Sequence, residues 1–436
     1  MAKINIATAP ANSAVLPFYG TAALFFILLS ILLLWRSPLL TNGYFDFHLL
    51  ALVHLAVLGW LTMIIFGAGY QLLPVICERE LHSETLAVIS YLLLSAGIIL
   101  LSSGFWVTPD LKGVFPLWGI IGGGLVFISS LLFVCNVILT TRICTSFNIQ
   151  KAFILTSSIW LSATCLAGFL LAWNLRYPYI SKSHLQLLKL HAHMGLAGWF
   201  LQLIIGVSAK LIPMFLLGKS NKTRLLISAY LFINIGIILF LVDGIFRSVA
   251  SRAVIYLALV LTGIIFWTFY LRDVYNNRIK RPIDVTLRFS GLSFVNLCLT
   301  LLLLVLILVW RPAGQLQILY GTLAILGWIS ALALGMTFKT LPFIVWNGHY
   351  KHLNGKGRIP LPKELYLQWL VRLQWWFYIA ALYGLLGGVL LQLETLIQIA
   401  LIFLIATSIS YGINVLYILQ HKTSFIHATP TITPNA

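Results

Sequence analysis

His54-Leu-Ala-Val-Leu-Gly-Trp60, His193-Met-Gly-Leu-Ala-Gly-Trp199 and Thr322-Leu-Ala-Ile-Leu-Gly-Trp328 are three versions of one phrase. Each runs on through a second glycine (Gly67, Gly206, Gly335) to a proline that closes an apolar run (Pro74, Pro213, Pro342). Features held at constant offsets in three places argue against chance similarity among hydrophobic helices. The chain is read as an internal repeat whose third copy carries Thr322 where the first two carry histidine.

Around these phrases the 436 residues are 60% hydrophobic and only 9% charged, with a mean hydropathy of +0.99. That leaves too little polar surface to cover a soluble globule of this size. Apolar runs of about 20 residues or more, long enough to span a bilayer, number about twelve. The three phrases fall in the second, sixth and tenth of them, expected at Asp46 to Ile76, Leu187 to Leu217 and Gln315 to Trp346. Gly59, Gly198 and Gly327 recur at intervals of roughly 130 to 140 residues, room for four spans with short loops. The expected fold is therefore all-α and polytopic, with three four-helix repeats at approximately 1–145, 146–281 and 282–436. Four is even, so every copy enters the membrane in the same sense. The repeats are parallel and related by a pseudo-threefold axis along the membrane normal, unlike the inverted repeats of many transporters.

A net charge of +18 would suggest nucleic acid in a soluble protein, but here Lys and Arg sit in short loops between apolar spans, and no nucleic-acid role is expected. The loops carrying Arg142, Lys151, Lys219, Lys222, Arg224, Arg278, Lys280, Arg281, Lys351, Lys356, Arg358 and Lys363 hold roughly twice as many basic residues as those on the other side, which marks them cytoplasmic. This topology puts both termini in the cytoplasm of a bacterial inner membrane. The first apolar run has no small-residue cleavage site after it and is read as a retained helix. The five cysteines, Cys77, Cys135, Cys144, Cys165 and Cys298, form no CxxC pair or haem-attachment motif and read as packing residues.

Depth sorts the ten histidines. His82, His349, His352, His421 and His427 fall in loops or the tail, and His184 lies just ahead of span six. His48 and His54 open span two, and His191 and His193 open span six. Ionisable side chains inside a span are costly and mark sites, and a neutral imidazole offers a lone pair to iron, copper or zinc. His191 and His193 are about 200° apart around one helix and His48 and His54 about 240°, so neither pair grips one ion and the members point into different clefts. One histidine from each helix could reach the two faces of a haem lying between helices. His54 and His193, which recur at equivalent repeat positions, are the first choice.

Twelve helices in three arcs, with histidines at one end of spans two and six, resemble the haem-copper oxidase subunit I superfamily. The phrases His54 to Trp60 and His191-Ala-His-Met-Gly-Leu-Ala-Gly-Trp199 look most like those of short oxidase-like membrane proteins, and the layout is similar to that of haem-copper proteins of nitric-oxide stress responses. The resemblance implies haem b, leaves copper open, and matches His54 to a low-spin haem ligand, with His193 at the equivalent place in span six. It also implies ligands that this chain lacks. Span seven, Leu225 to Phe246, has no histidine for a copper pair, and span ten begins Gln315-Leu-Gln-Ile-Leu-Tyr-Gly-Thr322. Met63 and Met336 are the substitutes weighed for an axial position, against the commoner role of Met as core filler.

The function expected is that of a haem-binding oxidase-like membrane protein, an oxidoreductase of divergent oxidase or nitric oxide reductase type. It would bind, sense or reduce nitric oxide or oxygen, or transfer electrons, without the usual binuclear centre. Its partners would be membrane lipid, quinol or a cytochrome donor, and respiratory-complex subunits. Two other readings stay open: a metal-ion or proton-coupled transporter using His54 and His193 with Asp243, Lys210 and Lys339, and an accessory or assembly protein of a respiratory complex.

Overall fold

The computed structural model describes residues 10–41, 45–142, 148–247, 252–280, 282–310, 314–353, 357–423 and 426–427. Arg281, Lys356 and Cys144 lie outside the described residues, as do the side chains of Arg358 and His427. Twelve helices among them are long and apolar enough to cross a membrane: α1 (Asn12–Trp35), α2 (Phe47–Cys77), α3 (Glu84–Val107), α4 (Leu117–Arg142), α5 (Ile149–Arg176), α6 (His184–Leu216), α7 (Thr223–Phe246), α8 (Ala253–Asn276), α9 (Val285–Trp310), α10 (Gln315–Leu353), α11 (Gln368–Leu391) and α12 (Glu394–Leu419). The only strands among the described residues are the two-residue β1 (Gly357–Arg358) and β2 (Ile426–His427), paired antiparallel. The chain is a polytopic all-α membrane protein.

The repeated phrases occupy α2, α6 and α10, and their glycines are packing seats. A Cβ added at Gly67 would lie 2.9 Å from the Phe18 Cβ, one at Gly206 2.6 Å from the Phe153 Cβ, and one at Gly335 2.6 Å from the Phe289 Cβ. Those phenylalanines lie on α1, α5 and α9, so the opening helix of each quartet presses on its signature helix where a side chain is missing, as small residues allow in membranes. Gly59 and Gly198 repeat the arrangement under Phe25 and Trp160, at 2.9 and 2.8 Å. The signature helices also touch one another: the Trp60 indole donates to Ser330 Oγ at 3.0 Å and that of Trp199 to Thr62 Oγ1 at 3.3 Å.

One backbone feature recurs with the phrase. Directly after His54, His193 and Thr322, each helix widens from α to π geometry, over Leu55–Thr62, Met194–Leu201 and Leu323–Ile329. Such segments are rare and concentrate at functional sites.

The helix ends differ among the copies. At Glu78 and Leu217 the chain turns left-handed, φ 53° and 50°, and each N–H returns to the carbonyl of Pro74 or Pro213. In the third copy the helix passes Pro342 and runs α-helically to Tyr350, then through a 3-10 turn to Leu353. His349 and His352, expected in a loop, therefore belong to α10. The extra turns are tied down by the Trp346 indole donating to the Pro360 carbonyl at 2.7 Å and by Tyr350 Oη bonded to His421 Nε2 at 2.9 Å. Span six likewise starts earlier than expected, with His184 as the first residue of α6.

Candidate functional site

Hydrogen bonding separates the four histidines into two classes. At the start of α2, the Asp46 carboxylate caps the helix by accepting from the His48 and Leu49 N–H groups at 2.7 and 3.2 Å. It also lies 3.3 Å from His48 Nδ1, while the Arg36 guanidinium sits 3.1 Å from His48 Nε2. A guanidinium only donates, so Nε2 accepts and Nδ1 carries the proton toward Asp46. Both nitrogens of His48 are engaged.

His54, His191 and His193 share a different anchor: Nδ1 of each bonds a backbone carbonyl, that of Leu50 at 2.7 Å, Thr164 at 3.1 Å and Lys189 at 2.8 Å. A carbonyl can only accept, so Nδ1 is the protonated nitrogen and Nε2 bears the lone pair. An imidazole that donates its outer N–H to a carbonyl is held in the tautomer and orientation a metal ligand needs. In His193, however, the lone pair is occupied. Tyr320 Oη lies 3.3 Å from its Nε2, and the two rings stack with centres 5.9 Å apart. With the carbonyl and the phenol at its two nitrogens, this imidazole is satisfied within the protein.

His54 and His191 keep Nε2 without a hydrogen-bond partner among the described residues, and their rings are neighbours. Their ring centres are 6.4 Å apart and the planes differ by 22°. Two imidazoles binding one metal atom from opposite sides need centres roughly 6 Å apart, from two metal–nitrogen bonds of about 2 Å and the half-widths of the rings. The ring separation thus matches that of two imidazoles sharing one metal centre between α2 and α6. Phe105 of α3 stacks on His54 at 5.0 Å and 25°. Gly168 of α5 makes room for the other ring, since a Cβ there would come 2.8 Å from His191 Cε1. Behind the pair, Ala51, Leu101, Phe105, Phe115, Ile120 and Ala172 form a hydrophobic cluster separate from the main core.

The structure therefore brings together His54 and His191, and not His54 and His193, the pair suggested by repeat equivalence. The divergence expected from helix geometry accounts for this: His191 points toward α2 and His193 toward α10. Met63 is fully buried core, and Met336 lines an apolar cavity at the proline ends of the helices. Asp243 pairs with Arg252 at 3.1 Å, and Lys339 with Asp284, so these candidate relay groups are held in ion pairs. Thr164, Gly168 and Phe105 carry no sequence signal. Tyr320 carries one: it stands two residues before Thr322, as His191 stands two before His193.

Residues 4–256 match the family described as cytochrome c and quinol oxidase polypeptide I. The chain belongs to that family. The match ends inside α8, after the two copies that carry histidine and before the one that carries Thr322. The fold agrees: a solved heme-copper terminal oxidase dimer superposes with a TM-score of 0.69 over 94% of this chain and 85% of that one, at 10% identity. No curated protein matches. Members of the oxidase polypeptide I family bind haem. In this member, no three His, Cys, Asp or Glu side chains among the described residues converge on a point that could hold a metal ion. Two imidazoles alone suit haem, whose macrocycle supplies the four equatorial nitrogens, better than a bare copper or zinc ion that takes three or four protein ligands.

Proposed function

We propose that this chain is a b-haem-binding member of the oxidase polypeptide I family that passes single electrons within the membrane, with His54 and His191 as the axial pair. The observation that supports the reading is the pair of facing imidazoles, each fixed by a backbone carbonyl at Nδ1 and unpartnered at Nε2. Bound there, haem would supply a one-electron couple tuned by its two imidazole ligands and its apolar surroundings. Held by both His54 and His191, haem would supply electron transfer in preference to the binding or reduction of nitric oxide or oxygen. α7 offers no histidine for a copper pair, and α10 has Thr322 and Tyr320 at the positions of the repeat that carry histidines in α6. These departures from the usual haem-copper ligand set argue against a proton-pumping terminal oxidase.

The electron donor consistent with a membrane-embedded site is quinol or a cytochrome, within a respiratory assembly of a bacterial inner membrane. The excess of basic residues on one set of loops supports a cytoplasmic position for both termini. The deciding experiment is the reduced absorption spectrum of protein purified after expression with ample haem, with pyridine haemochrome and metal quantification. The expected result is a Soret and an alpha band with close to one haem per chain. Protein without these bands but with bound copper or zinc, or one that moves metal into liposomes, would replace this reading with a metal-transport one.

A further inference from the structure

The helices that carry the histidines enclose a second, unrelated space at their other end. Between α2, α6, α8, α9 and α10, around the proline ends, lies a cavity of about 580 Å³ with an almost wholly apolar wall that includes Leu72, Leu211, Phe294, Trp328 and Met336. It falls in the size range of ligand sites. Its wall includes Gly291, where an added Cβ would meet nothing within 4 Å, and Ser290, whose buried Oγ has no hydrogen-bond partner.

At its rim stands Arg272, which also lines an adjoining polar pocket with Lys222, Arg224 and Asp273. Asp273 is neutralised by Lys222 at 2.8 Å, while Arg272 and Arg224 make no ion pair among the described residues. An apolar chamber thus opens beside a pocket with an excess of positive charge. We propose that this is a specific site for an anionic phospholipid, with an acyl chain in the cavity and the phosphate held by Arg272 and Arg224. An acyl chain gains little by leaving the bilayer for an apolar cavity, because lipid tails are as apolar as leucine. Selectivity must therefore come from the head group, and the unpaired cations point to a negative one. Each basic side chain near a membrane surface favours an anionic lipid about fivefold.

Native mass spectrometry of the full chain, purified in mild detergent from membranes of known lipid composition, tests this. Wild-type protein should retain phosphatidylglycerol or cardiolipin at several times its share in the source membrane. Arg272→Gln should lose most of that enrichment, and Gly291→Phe, which places a ring on the cavity wall where an added Cβ meets nothing within 4 Å, should lose the lipid altogether. A readout that needs no variant is quenching of tryptophan fluorescence, since Trp267 and Trp328 both line the cavity. Brominated phosphatidylglycerol should quench more strongly than brominated phosphatidylcholine. Equal quenching, equal retention of zwitterionic lipid, or recovery of a prenylquinone instead of phospholipid would each overturn the assignment. Haem content does not enter any of these measurements, so the two readings stand or fall separately.

Discussion

Two junctions between signature helices are built alike and end in different chemistry. Where α2 meets α6, the histidine preceding the π segment of α2 faces the residue two places before the corresponding position of α6: His54 faces His191. Where α6 meets α10, the same rule brings His193 to Tyr320. The separations are close, 6.4 and 5.9 Å, and so are the ring inclinations, 22° and 18°. In the second junction, however, a phenol supplies a proton donor to the lone pair that the first leaves exposed. The positions that would form the third junction are Thr322 and Leu52, and neither is a ligand for iron. The scaffold repeats this geometry at two junctions, and they differ in whether an imidazole or a phenol stands opposite the histidine.

The sharpest way to break this comparison is to remove one imidazole at a time. His54→Ala and His191→Ala should each abolish the six-coordinate low-spin haem spectrum, and His193→Ala and His48→Ala should leave it in place. Loss of the spectrum in His193→Ala with retention in His191→Ala would restore the pairing suggested by repeat equivalence and sink the lone-pair argument.

A smaller effect is expected from converting the second junction into the first. Tyr320→His would put a second imidazole opposite His193, and the haem-to-protein ratio after reconstitution should rise above that of the wild type. Tyr320→Phe, which frees the His193 lone pair without adding a ligand, should leave the ratio unchanged. If Tyr320→His behaves like Tyr320→Phe, ligand identity is not enough, and the room given by Gly168 at the first junction is the missing element.

The repeated phrases and the twelve spans were legible in the sequence, because hydropathy and glycine spacing act along the chain, but the reach of spans six and ten over His184, His349 and His352 was not. Pairing was not legible either. The angle between His191 and His193 says that they face different neighbours but not which neighbour each faces, which depends on how three helices are arranged around an axis. Nor does periodicity reveal the π segments, since a widened turn leaves an already apolar run apolar. The equivalence of Tyr320 with His191 was written in the spacing, yet a tyrosine opposite a histidine becomes informative only once the two rings are seen to meet.

The glycine seats sharpen the same comparison on the side of stability. Gly335→Ala would drive a Cβ to within 2.6 Å of Phe289 and against the Thr286 carbonyl, whereas at Gly327 the nearest atom is 3.4 Å away. Overpacking of this kind costs about 1 to 3 kcal/mol, so Gly335→Ala should lower the Tm in detergent by several degrees and Gly327→Ala by little. Gly59→Ala and Gly198→Ala should behave like Gly335→Ala. In the third copy the seat at Gly327 is loose because Asn296 stands where Phe25 and Trp160 stand in the others, and a large loss at Gly327 would contradict that account.

The smallest expected effect separates the second and third copies at the start of α5 and α9. Asn148 caps α5 by accepting from the Gln150 N–H at 2.9 Å. At the corresponding place Asp284 caps α9, accepting from the Thr286 hydroxyl at 2.6 Å and the Leu287 N–H at 3.0 Å, and it pairs with Lys339. Burial alone would raise the Asp284 carboxyl, but the hydrogen bonds from Lys339, Thr286 and Leu287 outweigh it and hold the group below its ordinary value. A carboxylate depressed on folding stabilises the protein above its unfolded pKa, near 4, and that contribution disappears as the pH falls through the lower folded value. Because the side chain is 42% exposed, the gain at neutral pH is held to less than about 1 kcal/mol by solvent screening. Asp284→Asn should therefore melt slightly below wild type at pH 7, and the gap should shrink as the pH falls below about 4. Asn148, which has no charge to lose, should show no such dependence when replaced by Ser. A gap for Asp284→Asn that persists undiminished at pH 3 would mean that the carboxylate acts there through its shape as a cap and not through its charge.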